Sequence, residues 1–593
     1  MNKIQFAIAL CWLLVLPLSA LVAQKPNVIF ILTDDQGYGD LACHGNPWIK
    51  TPNLDKLHAE SVRFTNFHVG TTCAPSRSGL MTGKYCNKVG VWHTVNGREI
   101  LREGETTLAE KMKTAGYKTG IFGKWHLGDN YPFRPQDRGF DEVLIHGGGG
   151  VGQQPDYWEN DYFDDTYFHN GKPQKYKGYC TDVWFSEALK FIKANKNKPF
   201  FCYLPTNAPH GPYNIADKYS NPYKNNPNIP NPNFYGMITN IDENIGRLRE
   251  ELKKMGIDKN TILVFMTDNG TAAGVKFGKN GEVVSGYNAD MRGIKGSPYD
   301  GGHRVPFFIN WPDGKISSGK DITNLTAYID VMPTLLDLCG INAEVKMDGT
   351  SLKPLINDSA RNWLGRTLFT DTQREEQLIK WKQPAIMTDD WRLVGKDELY
   401  DMTRDASQKT DVAAQNPGVV QTLKAAYETW WADVSQNADE YASVKIGTKF
   451  ENPVCLNSHD LHVEKGLPTF SQYLVREAKG ENGFWAVDIT RTGTYEIELC
   501  RWPKESKLKM TDAAPKGQPV EGGNAYAVGK ALAIKKGSIK LGKIALEKAL
   551  AKDGRSIKFK VNIDAGKTNL HTSLFDDNGT ERPAYYVYFK FIK

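Results

Sequence analysis

The run Cys73-Ala74-Pro75-Ser76-Arg77-Ser78-Gly79-Leu80-Met81-Thr82-Gly83 sets a thiol four residues ahead of a guanidinium. Pro75 suits the first turn of a helix, which puts Cys73 at the helix N-terminus. Unpaired backbone N–H groups and the positive dipole end favour anionic groups there. Taken alone, the same residues would also serve as a buried cysteine before a proline-started helix, with Arg77 solvated. Thr33-Asp34-Asp35-Gln36-Gly37 and Thr267-Asp268-Asn269-Gly270 offer carboxylate and amide oxygens suited to a hard divalent cation. Either pair alone is more often a turn, because Asp, Asn and Gly favour turns. Lys124 and His126 flank Trp125, and an extended segment would point both to one face.

The Cys-x-Pro-x-Arg core with its trailing Thr82-Gly83 resembles the sulfatase signature, in which the cysteine is oxidised after synthesis to formylglycine, an aldehyde. Gly116-Tyr117-Lys118-Thr119-Gly120-Ile121-Phe122-Gly123-Lys124-Trp125-His126-Leu127-Gly128 is similar to the second sulfatase signature. Ala208-Pro209-His210-Gly211-Pro212 and the loop from Arg292 to Gly302 resemble the segments that bear the family's second histidine and second lysine, here His210 and Lys295. The one visible departure near the nucleophile is Lys84, where many relatives carry arginine.

The resemblance covers residues 26 to 440 or so. It implies formylglycine at position 73 and one calcium ion held by Asp34, Asp35, residue 73, Asp268 and Asn269. It further implies that Arg77 helps to hold the hydrated residue 73, one hydroxyl of which attacks sulfur. His210, aided by Lys295, would then protonate the released alcohol, and His126 would deprotonate the second hydroxyl so that sulfate leaves. Lys124 and Lys295 would offset charge on the sulfate oxygens. A phosphonate monoester hydrolase or phosphodiesterase can use the same motif, and is the alternative within this superfamily. An inactive carbohydrate-binding protein is the alternative of another class, and the full set of reactive residues argues against it.

Elements that could bring these residues together are visible in the hydrophobic pattern. Val28 to Leu32 and Ile262 to Met266 are nearly continuous apolar runs, as in strands covered on both faces. Helix candidates lie near Asp182 to Ala194 and Tyr235 to Met255, ahead of the β-rich runs Phe200 to Leu204 and Ile262 to Met266. The alternation predicts an α/β domain with a mostly parallel sheet, and the resemblance gives it the alkaline-phosphatase-like form. Ligands collect at the carboxyl ends of such strands, where Asp34, Asp35, His210, Asp268 and Asn269 fall. A smaller α+β region is expected over 360–449, after a catalytic domain over 24–359. Period-two runs such as Tyr495 to Leu499 and Ile557 to Ile563 predict an added antiparallel β-sandwich over 450–593.

Substrate-facing candidates are Trp92 and His93 after the nucleophile helix, Gln153, Gln154 and Trp158 beyond the glycine run 147–150, and His303. Amides and aromatics beside glycines suit sugar hydroxyls and sugar faces, and the exported, bacterial-looking precursor with a β tail makes a sulfated polysaccharide or its oligosaccharides the expected substrate. The sulfatase resemblance implies a formylglycine-generating maturation enzyme as the other partner.

The chain has 593 residues, a net charge of +6 and a sequence pI near 8.5. That length exceeds one core, and the mild positive charge tolerates a polyanion. No basic, aromatic-interleaved stripe points to nucleic acid. Residues 1–23 read as a signal peptide, with Lys3 before an apolar stretch and small residues at its end. Export to the periplasm or medium is therefore expected, with no membrane anchor. Nine cysteines without a Cys-x-x-Cys pair leave room for one or two disulfides and no zinc site.

Overall fold

The computed structural model describes residues 25–593 apart from 280, 318, 359–362 and 364. The signal-peptide reading of residues 1–23 lies outside the described residues. A ten-stranded sheet forms the first part of the chain, in the order 321–322, 62–64, 307–310, 261–267, 27–33, 200–205, 118–124, 142–146, 166–169, 172–175. The five strands from 261–267 to 142–146 run parallel, and 307–310 closes against 261–267 in antiparallel sense.

Apolar alternation within single strands explains why this sheet is covered twice. Val28, Phe30 and Leu32 enter one core cluster, whereas Ile29 and Ile31 enter another on the opposite face. Ile262, Val264 and Met266 divide from Leu263 and Phe265 in the same way. Cys180–Asn195 and Pro232–Lys254 cover the second face through Trp184, Phe185, Ile192, Ile241, Ile245 and Leu248. Cys73–Thr82 and Val331–Leu338 cover the first. Asn231 caps the helix Pro232–Lys254 by accepting from the N–H groups of Asn233 and Phe234, a cap of the kind worth about 1 kcal/mol.

A four-stranded antiparallel sheet follows, 368–371, 384–387, 391–394 and 398–401. Within it, Pro384–Met387 and Trp391–Val394 form a hairpin. Beyond the helix Pro417–Val434 lie two facing sheets. One has the order 444–446, 485–489, 566–576, 534–541, 544–549, and the other 454–457, 586–591, 493–500, 557–563. Their inner residues share one core, among them Val487, Leu541 and Leu570 from the first and Ile497, Phe559 and Val587 from the second.

The first strand of this sandwich, Val444–Ile446, precedes residue 450 and pairs in parallel with Trp485–Ile489. The region is also not free-standing. Ile100 and Phe133 of the first domain enter its core, and Trp158 packs edge-on against Trp502 at 5.5 Å between ring centroids. All eight described cysteines are unpaired. No helix among the described residues is long and apolar enough to cross a membrane.

Candidate active site

The carboxyl ends of neighbouring parallel strands bring Asp34, Asp35, Lys124, Asp268 and Asn269 to one edge. Backbone bonds from Asp268 N–H to Thr33 O (3.1 Å), Thr206 N–H to Leu32 O (2.8 Å) and Asp34 N–H to Ala208 O (3.2 Å) tie these ends together. Asp35 sits in the left-handed region at φ 67°, which aspartate tolerates better than most residues.

Cys73 is the first residue of a helix whose ten residues are all buried. Its Sγ lies 3.2 Å from Asp34 Oδ1, 3.9 Å from Asp35 Oδ1 and 3.4 Å from Lys295 Nζ. Lys124 Nζ donates to Asp34 Oδ2 at 2.6 Å, and Lys295 Nζ pairs with Asp35 Oδ1 at 2.5 Å. Arg77 donates to Asp268 Oδ2 from Nε (3.1 Å) and Nη2 (2.7 Å), and from Nη1 to Lys124 O (3.1 Å). Three cations thus interleave with three carboxylates around one thiol.

Burial would raise Asp35, but Lys295 and His210 outweigh it and hold the carboxyl below its ordinary range. Asp268, buried beside Asp34, is pushed up to about 6 against the pull of Arg77 and Lys124. Burial and Asp34 push the Cys73 thiol up to about 12, so the unmodified side chain is no thiolate at neutral pH. Lys295 stays charged despite burial because Asp35 faces it.

Ligand atoms of Asp34, Asp35, Cys73 and Asp268 lie within 4.8 Å of one another. Asn269 Nδ2 donates to Asp35 Oδ1 at 2.9 Å, which leaves Asn269 Oδ1 buried without a donor. An orphan amide oxygen beside three carboxylates fits a hard cation such as calcium.

The two histidines differ in their bonding. His126 Nε2 bonds Thr94 O at 2.8 Å, so the proton is on Nε2, and Nδ1 keeps a buried lone pair without a partner. Burial and Lys124 hold this ring neutral, well below its ordinary value. His126 has φ 61°, so it does not continue the strand Lys118–Lys124 as an extended segment would. The backbone turns there, and the shared face expected for Lys124 and His126 does not arise from strand alternation. His210 Nδ1 bonds Gly211 O, Nε2 lies 3.7 Å from Asp35 Oδ2, and Tyr162 Oη donates to His210 O at 2.6 Å. Burial and the nearby lysines lower His210 to about 4 against the pull of Asp35. With side-chain exposures of 21% and 14%, His210 and Lys295 face the solvent side, whereas Asp34, Arg77, Lys124 and Asp268 are sealed.

The glycine run lies against both histidines. A Cβ on Gly149 would come within 2.3 Å of the His126 ring, and one on Gly150 within 3.3 Å of His210. Gln153 is half-buried beside them, its Oε1 accepting from Gly149 N–H at 2.7 Å.

Five of the six residues expected to face substrate are engaged by the protein itself. Gln154 accepts at Oε1 from Ser458 Oγ and His459 N–H, both at 2.7 Å, and donates to Tyr585 O. Trp158 lies in the core shared with Val475 and Trp502. Trp92 is buried under Arg98 and donates to Glu375 O at 3.0 Å. His303 is wholly buried, bonded to His68 Nδ1 at 2.9 Å and Pro298 O at 3.1 Å. His93 is buried too, accepting at Nδ1 from Thr94 and Val95 N–H, so it shapes the loop whose Thr94 carbonyl fixes His126.

Sequence reasoning missed Glu99, His459 and Asp460, a buried group whose histidine reaches Gln153. Its only local trace is the triplet Ser458-His459-Asp460, which carries no motif.

Residues 26–341 match the family model "Sulfatase", and 295–429 match "N-sulphoglucosamine sulphohydrolase, C-terminal". The N-acetylgalactosamine-6-O-sulfatase of Bacteroides thetaiotaomicron is 28% identical over 507 residues, covering 69% of this chain and 93% of that protein. Mouse arylsulfatase J is 31% identical over 355 residues, 57% of each chain. Among solved structures, Ps i-CgsB in complex with k-i-k-neocarrahexaose superposes at TM-score 0.61 with 29% identity, over 71% of this chain and 95% of that one. The first family model alone takes in more than half of the chain and every charged residue placed around Cys73, and on that ground the chain belongs to the sulfatase family.

Proposed function

We propose that this protein removes sulfate from a sulfated carbohydrate at residue 73, after oxidation of Cys73 to formylglycine. The observation that carries the reading is the position of Cys73 Sγ, among three carboxylates and 3.4 Å from Lys295. Sγ marks where the oxygen nucleophile of the modified residue would stand. Two of the relatives support the substrate class, one being named an N-acetylgalactosamine-6-O-sulfatase and another being solved in complex with k-i-k-neocarrahexaose.

A calcium ion held by Asp34, Asp35, Asp268, Asn269 and residue 73 would add positive charge beside the sulfate oxygens. Lys124 and Lys295, each anchored on a carboxylate, hold further positive charge at the same place without reorganising as negative charge develops. Arg77, sealed on the nucleophile helix itself, orients Asp268 and opposes its neutralisation by burial. His126 presents the unpartnered Nδ1 lone pair that a base on residue 73 needs. The departing alcohol takes its proton on the open side from Lys295, which is held charged, while His210 Nε2 stands 3.7 Å from the Asp35 carboxylate that Lys295 pairs with.

The test is expression with a formylglycine-generating enzyme, mass spectrometry of the peptide containing residue 73, and rates on a panel. The panel comprises N-acetylgalactosamine 6-sulfate, glucosamine 2-N,6-O-disulfate, a neocarrageenan oligosaccharide, 4-nitrophenyl sulfate and a phosphodiester. Aldehyde or its hydrate and turnover of a sugar sulfate are expected. Full activity with unmodified cysteine overturns the nucleophile, and preference for the phosphodiester overturns the transferred group. Export of the mature chain is a further part of this reading, checked by N-terminal sequencing of protein recovered outside the cytoplasm.

A further inference from the structure

Gln153 is held from two sides. Gly149 N–H can only donate, so its 2.7 Å contact fixes Oε1 as the acceptor and Nε2 as the other end of the amide. His459 Nε2 lies 3.1 Å from the same Oε1, so it too must donate. On the opposite side of that ring, Nδ1 lies 2.6 Å from Asp460 Oδ1 and 3.5 Å from Glu99 Oε1. Both ring nitrogens therefore face acceptors, and the imidazole is a doubly protonated cation. Asp460 and Glu99 overcome burial and push its pKa up to about 10.

The backbone of this loop is pinned by the same region of the chain. Gln153 forms a bridge with Ser471, with Gln154 N–H on Phe470 O at 2.9 Å and Gln472 N–H on Gly152 O at 3.0 Å. Gln472 Nε2 reaches Gln153 O and Tyr157 O as well. All of these partners lie beyond residue 429, where the match to the sulfatase family models ends.

What remains free is Gln153 Nε2, a donor without a protein acceptor among the described residues. A Cβ built on Gly150 would touch the His210 ring at 3.3 Å and Gln153 Nε2 at 3.5 Å, so the two flank one point on the open side of the site. Polarisation of Oε1 by a buried cation strengthens the Nε2–H groups as donors.

We propose that Gln153 is a specificity-determining residue that donates from Nε2 to an oxygen of the sugar bearing the sulfate, and that His459 of the C-terminal region is its positioning residue. The inference rests on the sulfated-carbohydrate reading above. It makes the C-terminal region part of the substrate site, in place of an independent appendage. A sugar that lacks an acceptor oxygen there leaves Nε2 unpaired in the complex, and that loss separates sugar from aryl substrates.

The experiment compares full-length wild type, Gln153→Leu, His459→Gln and the double variant, on the panel sugar turned over fastest and on 4-nitrophenyl sulfate. Gln153→Leu is expected to lose about tenfold more kcat/KM on the sugar than on the aryl sulfate, mainly through KM. His459→Gln is expected to shift selectivity in the same direction, and the double variant to match Gln153→Leu within about threefold, as members of one unit do. Equal losses on both substrates, or effects that multiply in the double variant, overturn the inference. Nitrogen-15 spectra of histidine-labelled wild type at pH 8 test the relay without activity, because a persistent imidazolium signal is expected and its absence overturns the positioning role. Wild type that cleaves no sulfate ester brings down the sulfatase reading itself, whereas an active enzyme whose selectivity ignores Gln153 brings down only this inference.

Discussion

Arg77 Nη2 lies 2.7 Å from Asp268 Oδ2, and neither side chain is exposed at all. Removing one member of such a pair leaves the other charged and dry, which typically costs about 3–5 kcal/mol. Asp268→Asn is therefore expected to lower the melting temperature as well as the rate, the latter by about a hundredfold or more. Calorimetry and initial rates on one preparation check both. A variant that melts with the wild type would show that the pair is not the buried unit described.

The orphan Oδ1 of Asn269 gives calcium a signature separate from turnover. A ligand that binds only the folded state stabilises it by RT ln(1 + [L]/Kd), about 2.7 kcal/mol at a hundredfold excess over Kd. After chelation, melting temperature is expected to climb with added calcium, and Asn269→Ala to move that titration to higher concentration. A melting temperature indifferent to chelator and calcium would remove the cation from the site.

Gln154 joins the two halves of the molecule. Its buried amide accepts from Ser458 Oγ and His459 N–H and donates to Tyr585 O. Gln154→Ala leaves these groups unpaired, each at a cost of about 1–3 kcal/mol if no water replaces the amide. Earlier melting and faster proteolysis in the 458–471 segment are expected, while a protein of unchanged melting and proteolysis would mean the contact is slack.

Much of the site was legible because strands announce themselves. Val28 to Leu32 and Ile262 to Met266 had to be buried on both faces, and the acids that follow them had to fall at one sheet edge. Lys295 lies in a loop without periodicity, and only the family resemblance singled it out. The His126 expectation failed because a positive φ after the strand is not written in the apolar pattern. That Trp92, Gln154, Trp158 and His303 are engaged by the protein itself was not legible, because whether a polar or aromatic side chain faces a ligand or a neighbour depends on partners far away in sequence. Gln154 and Tyr585 are 431 residues apart. The pairing of His459 with Gln153, 306 residues away, is illegible on the same grounds.

Proton binding by the buried group around His459 sets a sign for stability against pH. Burial alone would lower the pKa of His459, but Asp460 and Glu99 raise it to about 10 from 6.5. Burial and Asp460 push Glu99 up to about 8 from 4.5, and burial together with Asp460 lifts nearby Asp129 to about 6 from 3.8. The folded chain thus keeps protons that the unfolded chain has released, and stability falls with pH wherever that holds. The share from His459 is fully present below pH 6.5 and is lost as pH rises through 10. Those of Glu99 and Asp129 disappear earlier, between their unfolded values and 8 or 6. Each group can supply at most about 1.4 kcal/mol per pH unit within its window. Melting temperature measured from pH 6.5 to 10 is accordingly expected to fall more steeply in wild type than in His459→Gln, and Glu99→Gln to flatten the curve between pH 4.5 and 8. Parallel curves for all three proteins would mean that His459 is neutral in the folded chain, with a single N–H to divide between Asp460 and Gln153 Oε1.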